Sequence, residues 1–133
     1  MLKTIAGALL LSMLSLGAYA ADDPAKVADS SSGKIWVDSK GMTLYTFEGD
    51  KKGEAASACT GDCIKEWPPL LAPDGAKPMG DWTLLDVVDA DGATKKMWAY
   101  DGMPFYLFAD DKKPGDVTGD GEDGFHVAKA EDE

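Results

Sequence analysis

The residues best equipped for chemistry are the two cysteines, four apart in Cys59-Thr-Gly-Asp-Cys63. One helical turn or a tight loop brings Cα atoms at that spacing within about 6 Å, inside the range that a disulfide spans. An oxidising compartment would keep such an even pair as a disulfide. The closed loop is so short that the chain-entropy contribution is only about 2 kcal/mol, which makes it a local staple. The spacing is C-x-x-x-C and not the C-x-x-C of thioredoxin-like sites. If reduced, Cys59 and Cys63 could join the single histidine, His126, as a copper-binding set, with Met42, Met79, Met97 and Met103 as further soft ligands.

Oxygen chemistry is concentrated near the C-terminus, where Asp110, Asp111, Asp116, Asp120, Glu122 and Asp123 crowd a glycine-rich stretch. Calcium would draw on Asp116, Asp120 and Asp123, but no EF-hand spacing is present and Lys112 and Lys113 offset the charge. A solvated acidic loop is the favoured reading. There is no nucleophile elbow, no H-E-x-x-H and no phosphate-cradling P-loop. No catalytic residue is assigned, no cofactor is expected, and the reading is of a non-catalytic protein.

The elements that must position these residues come from a chain of 133 residues with a formal net charge of −11. All 13 basic residues are lysines, so the planar fork that grips phosphate bidentately is missing and the overall field repels a polyanion. Nucleic acid is excluded as a partner. Of the 24 acids 18 are Asp, and with 15 Gly and 7 Pro that is turn chemistry rather than helix surface.

Lys3, the apolar run Ile5 to Leu16 and Ala18-Tyr19-Ala20 read as a signal peptide over residues 1–20, cleaved before Ala21. The run is too short for a membrane span. A lipid anchor would need a Cys after the cleavage point, and none is there. The product is expected to be soluble, in the periplasm or secreted. Residues 21–33 read as a flexible lead-in, and residues 34–130 as one β domain.

Within that domain Ile35 to Val37 and Met42 to Phe47 read as a hairpin. Trp82 to Val88, Thr94 to Tyr100 and Met103 to Phe108 read as a meander, with a short helical turn or loop at the cysteine pair. Sliding the chain by 61 residues lays Gly41 to Lys52 on Gly102 to Lys113, with Gly, Met, Tyr, Phe, Asp and both Lys identical. Alternation puts Tyr45 and Phe47 on one strand face and Met42 and Leu44 on the other, as it does Tyr106 and Phe108 against Met103 and Phe105. Gly41 and Gly102 suit turn positions with positive φ, while Asp50 and Asp111 can accept from backbone amides as the chain leaves the strand. The fold class is therefore mainly β, a single domain of two related antiparallel hairpin or meander units that pack face to face because neither buries its sheet alone.

The doubled Tyr-x-Phe-x-x-Asp element, Tyr45, Phe47, Asp50 and Tyr106, Phe108, Asp111, resembles a bacterial secreted-repeat family described as predicted lipoproteins with a Y-x-(F/W/Y)-x-x-D motif. The Cys59 to Cys63 stretch leading into Trp67-Pro68-Pro69, and Phe125-His126-Val127, extend the likeness over Lys34 to Ala130. The resemblance implies an exported, mostly β, two-repeat domain whose motif residues are structural signatures, and it implies no activity. The chain departs from the lipoprotein label in lacking the anchoring Cys. The leading expectation is a domain that binds or scaffolds a partner or small ligand in the periplasm or outside the cell; the alternative is copper binding through Cys59, Cys63 and His126.

Overall fold

The computed structural model describes residues 23–130. The expected leader, residues 1–20, and its cleavage point lie outside the described residues. Strands β1 (Lys26–Ser30) and β2 (Gly33–Val37) form an antiparallel hairpin, with Ala28 opposite Ile35. Next come β3 (Tyr45–Phe47), the short helix α1 (Asp62–Glu66), the hairpin of β4 (Trp82–Val88) with β5 (Thr94–Tyr100), then β6 (Met103–Pro104) and β7 (Phe125–Val127). No helix among the described residues is long and apolar enough to cross a membrane.

The lead-in expected over residues 21–33 is corrected, because β1 and the turn after it lie within it. β1 leaves no apolar pattern in the sequence because its side chains are exposed or only half-buried, and backbone pairing at a sheet edge holds it. The first expected hairpin is present only around its turn. The Asp38 N–H donates to Met42 O and the Leu44 N–H to Trp36 O on either side of the Val37 to Thr43 bridge, whereas β3 itself pairs along its length with β7. The meander β4-β5-β6 is present, although its last strand is regular only over Met103–Pro104.

Gly41 and Gly102 take φ of 87° and 86° and turn the chain into the two equivalent segments Met42–Phe47 and Met103–Phe108. These meet where Tyr45 and Tyr106 exchange both backbone hydrogen bonds, at 2.7 and 2.8 Å. Contacts around that crossing recur with the two halves interchanged. In one half the Trp36 N–H donates to Ala128 O, Leu44 N–H to Trp36 O and Ala128 N–H to Leu44 O, a closed triangle. In the other half Trp98, Leu70 and Phe105 close the same triangle. The third corner comes from the opposite repeat each time: Leu70 follows the first motif yet pairs within the second half, and Ala128 follows the second motif yet pairs within the first. The two units therefore do not stack as finished sheets; they interleave by exchanging their last strands.

Strand alternation then builds two cores. Tyr45, Tyr106, Trp67, Phe125, Met97, Val87 and Ile35 pack in one, with Phe47 and Phe108 against it. Leu44, Phe105, Leu70, Trp82, Trp98 and Ala128 pack in the other. Four rings stack through the first core: Phe47 on Phe125 (4.4 Å between centroids), Phe125 on Trp67 (3.9 Å) and Trp67 on Phe108 (4.3 Å). Tyr45 meets Trp67 edge-on, and Tyr106 meets Phe125 edge-on. Trp67 and Phe125 are thus counterparts, one from each repeat.

Candidate functional site

The motif residues are joined across the repeats. The Tyr45 hydroxyl donates to Asp111 Oδ2 and the Tyr106 hydroxyl to Asp50 Oδ2, both at 2.7 Å, with all four side chains buried. Each Asp also accepts from the loop that follows it, Asp50 Oδ1 from the Ala58 N–H and Asp111 Oδ1 from the N–H and hydroxyl of Thr118. Burial, followed by the adjacent Asp111 acceptor, raises the Tyr45 pKa well above that of a free phenol. Burial also raises that of Tyr106, where Asp50 adds to the effect and the Ser57 hydrogen bond opposes it. With the phenols held protonated and each carboxyl group accepting from the loop beside it, the pairs act as ties. The motif locks two loops.

Cys59 and Cys63 form a disulfide, with Cα atoms 5.3 Å apart. It sits at the start of α1, and the carbonyl of Cys63 accepts from the Trp67 N–H at the helix end, so the staple fixes the ring that fills the core. This corrects the copper alternative, because paired sulfurs offer no thiolate to a metal. The third member of that set, His126, points to the surface, where Nε2 bonds Glu48 and Nδ1 lies 3.8 Å from Asp120. Among the described residues no three His, Cys, Asp or Glu side chains converge as a metal-binding group. The calcium candidates are scattered: Asp116 Oδ2 accepts from the backbone of Lys112 and Lys113, which holds its pKa low, and Asp120 Oδ1 accepts from Val127. Asp123 sits at a turn with φ of 53°.

What remains open to a ligand is concave. A cleft of about 700 Å³ is lined by Leu70, Leu71, Trp98 and Leu107, by Pro73, Ala76, Pro78 and Met79 from the connection between the repeats, and by Pro24. Asp23, Asp38, Ser39, Lys40 and Lys77 supply its polar groups. A second cleft, of about 410 Å³, uses the same places in the other half. Trp36 stands for Trp98, Ala128 for Leu70, Lys129 for Leu71 and Thr46 for Leu107, as the matching triangles, the bridges Leu71 to Met97 and Ile35 to Lys129, and the motif alignment show.

A family model described as a secreted repeat of unknown function matches residues 26–71 and 87–128. The chain belongs to this secreted-repeat family. No curated protein and no solved structure matches it. The two matched segments end close to the exchanged strands, one at Leu71 and the other at Ala128, so the unit that recurs in sequence is the one that completes its neighbour in space. Each secreted repeat contributes one Tyr and one Asp to the crossed locks and two rings to the central stack, Phe47 and Trp67 from the first and Phe108 and Phe125 from the second. Sequence reasoning missed both clefts. The only signal for the larger one was the apolar pair Leu70-Leu71 after Pro68-Pro69, which has no apolar match in Ala128-Lys129.

Proposed function

We propose that this secreted repeat is an exported, non-catalytic binding domain, and that the cleft floored by Trp98, Leu70 and Leu107 is where it binds. One observation carries the reading: the leucine lining of this cleft is not a requirement of the fold. The second half builds the same triangle and strand with Ala128, Lys129 and Thr46 where the first cleft has Leu70, Leu71 and Leu107. Leu71 is 49% exposed, which costs solubility and contributes little to the core. An apolar concavity of a few hundred Å³ with a few polar groups at its edge is the usual form of a small-ligand site.

The Tyr, Asp and Cys side chains that could carry chemistry are engaged in the crossed locks and the disulfide, which supports binding over turnover. Titration of the purified protein with uncharged and charged alkyl ligands, read by tryptophan fluorescence, tests the site because Trp98 lines it. Saturable binding lost on Leu107→Thr is expected. Saturable binding that Leu107→Thr leaves intact would place the site elsewhere, and turnover of a substrate lost on changing one acid or His126 would replace the reading with an enzyme. Export is tested by N-terminal sequencing of the protein recovered outside the cytoplasm, with Ala21 expected first.

A further inference from the structure

We infer that the outer edge of β1 is a self-association surface, which pairs with β1 of a second copy about a two-fold axis at Val27. No residue of β1 lines the Trp98 cleft, so this association does not depend on ligand binding there.

Backbone geometry decides which groups the edge presents. Trp36 turns both of its groups away from β1, its N–H to Ala128 O and its carbonyl to the Leu44 N–H, and the Lys34 carbonyl accepts from the Ala130 N–H. Facing residues in an antiparallel pair alternate between bonded and unbonded, so Val27 and Asp29, opposite Trp36 and Lys34, direct their own N–H and C=O groups outward. Among the described residues no backbone group pairs with either of them on that side.

The duplication shows what such an edge accepts. Leu84 faces Trp98 as Val27 faces Trp36, and Lys96 meets Asp86 as Lys34 meets Asp29, so β4 is the counterpart of β1. On β4 the Asp86 N–H donates to Ala55 O at 3.0 Å and its carbonyl accepts from the Ser57 N–H at 2.9 Å, so an extended segment covers that edge. Ala58 and Thr118 occupy matching places at the two locks, which puts the equivalent segment near Asp116. There the Asp116 carbonyl accepts from the Thr43 hydroxyl instead, and β1 is left uncovered.

A second β1 is self-complementary at this edge. With Val27 opposite Val27 in an antiparallel pair, the two residues exchange both backbone hydrogen bonds, and Asp29 of each copy falls opposite Ala25 of the other. Val27 is 42% exposed, one of three large apolar side chains so placed among the described residues, and this register buries it against its own equivalent. Charge favours the same meeting point. A net charge of −11 repels a second copy, yet around this edge Lys26 and Lys34 stand against Asp23 and Asp29, so repulsion is least here. Five residues make a small interface, so the dimer is expected to be weak, with a dissociation constant on the order of 100 µM.

Sedimentation velocity of the purified protein, freed of residues 1–20, over a range from about 10 µM to about 1 mM should show a concentration-dependent dimer. V27P removes an outward N–H that the β1–β2 pairing does not use, and V27K sets two like charges against each other at the axis. Both variants should stay monomeric over that range with native near-ultraviolet circular dichroism. Amide exchange followed by nuclear magnetic resonance locates the interface: the N–H groups of Val27 and Asp29 should exchange about fourfold more slowly in the concentrated sample, while that of Ala28, bonded to Ile35 inside the hairpin, changes little. A chain that is monomeric over the whole range overturns the inference. A dimer that survives in V27K, or that leaves the Val27 and Asp29 amides unprotected, places the interface elsewhere and overturns it as well.

Discussion

The hydroxyl of Tyr45 bonds the carboxyl group of Asp111, 66 residues further along, while Tyr106 reaches back to Asp50. The Tyr and Asp of one motif therefore never serve each other. Every motif is half of two locks, and the backbone exchange between Tyr45 and Tyr106 sets both halves in register.

A double-mutant cycle should expose this crossing. Tyr45→Phe and Asp111→Asn are each expected to cost about 1.5–3 kcal/mol, the range for a buried hydrogen bond to an acidic partner. Combined they should cost clearly less than the sum, as should Tyr106→Phe with Asp50→Asn. Tyr45→Phe with Asp50→Asn, residues of one motif but of different locks, should be closer to additive. Denaturant unfolding of the variants gives these values, and coupling within a motif rather than across motifs would refute the crossed arrangement.

The same locks make the fold sensitive to base. Tyr45 and Tyr106 have raised pKa values in the folded chain, first through burial, so the native state keeps protons that the unfolded state gives up. Their contribution is complete below the unfolded tyrosine value of 10.0 and declines as pH rises above it. Ionisation of these two phenols, followed at 295 nm and assigned with the Tyr→Phe variants, should coincide with loss of near-ultraviolet dichroism. Either phenol titrating near pH 10 in a chain that remains folded would contradict the buried locks.

Much of this was legible in the sequence, and the boundary has physical causes. The β4-β5 hairpin, its meander and the repeat were readable because alternation and turn residues act over a few neighbours. The cysteine pair was readable because four residues fix its geometry. Strand exchange was not readable. Phe125–Val127 and the segment at Pro69 to Leu71 are too short to carry a pattern, and their partners lie in the other repeat. For the same reason Asp50 and Asp111 could be assigned to their loop amides, which are local, while their tyrosine partners were invisible. The cleft gathers residues from Asp23 to Leu107, and no local spacing records that convergence.

The central ring stack predicts an asymmetric response at Trp67. Its indole Nε1 is buried without a hydrogen-bond partner, which costs free energy that a phenyl ring would not. Trp67→Phe reproduces the ring that the other repeat supplies as Phe125 and should change stability by about 1 kcal/mol or less, the lost contact being offset by removal of the stranded N–H. Trp67→Ala should cost about 3–5 kcal/mol, since Tyr45, Phe108 and Phe125 all lose a face. Thermal melts compare the two, and equal losses would mean that ring stacking does not hold this core.

Reduction of the Cys59–Cys63 disulfide should lower stability by about 2 kcal/mol without unfolding the chain, because so short a loop constrains little of the unfolded ensemble. Cys59→Ala/Cys63→Ala is expected to keep native dichroism with a lower melting temperature. Global unfolding of the reduced protein would show that the staple orders far more than the α1 turn.

Strand exchange has a final consequence for the halves of the chain. The connection near Asp74 and Gly75 is exposed, so a nick there leaves the repeats joined by the Tyr45 to Tyr106 exchange, two triangles, two locks and the ring stack. The nicked protein should migrate as one species in native size exclusion and as two fragments after denaturation. A chain ending after residue 75 has a different outcome. It keeps Leu70 and Leu71 but loses Trp98 and Phe105, with which Leu70 closes its triangle, and Tyr45 loses Asp111. Alone it should be unfolded as a monomer, or recover a compact fold only by pairing with a second copy, since the motif strand can meet its own equivalent across a two-fold axis. A monomeric, cooperatively melting first repeat would show that exchange is incidental to the fold.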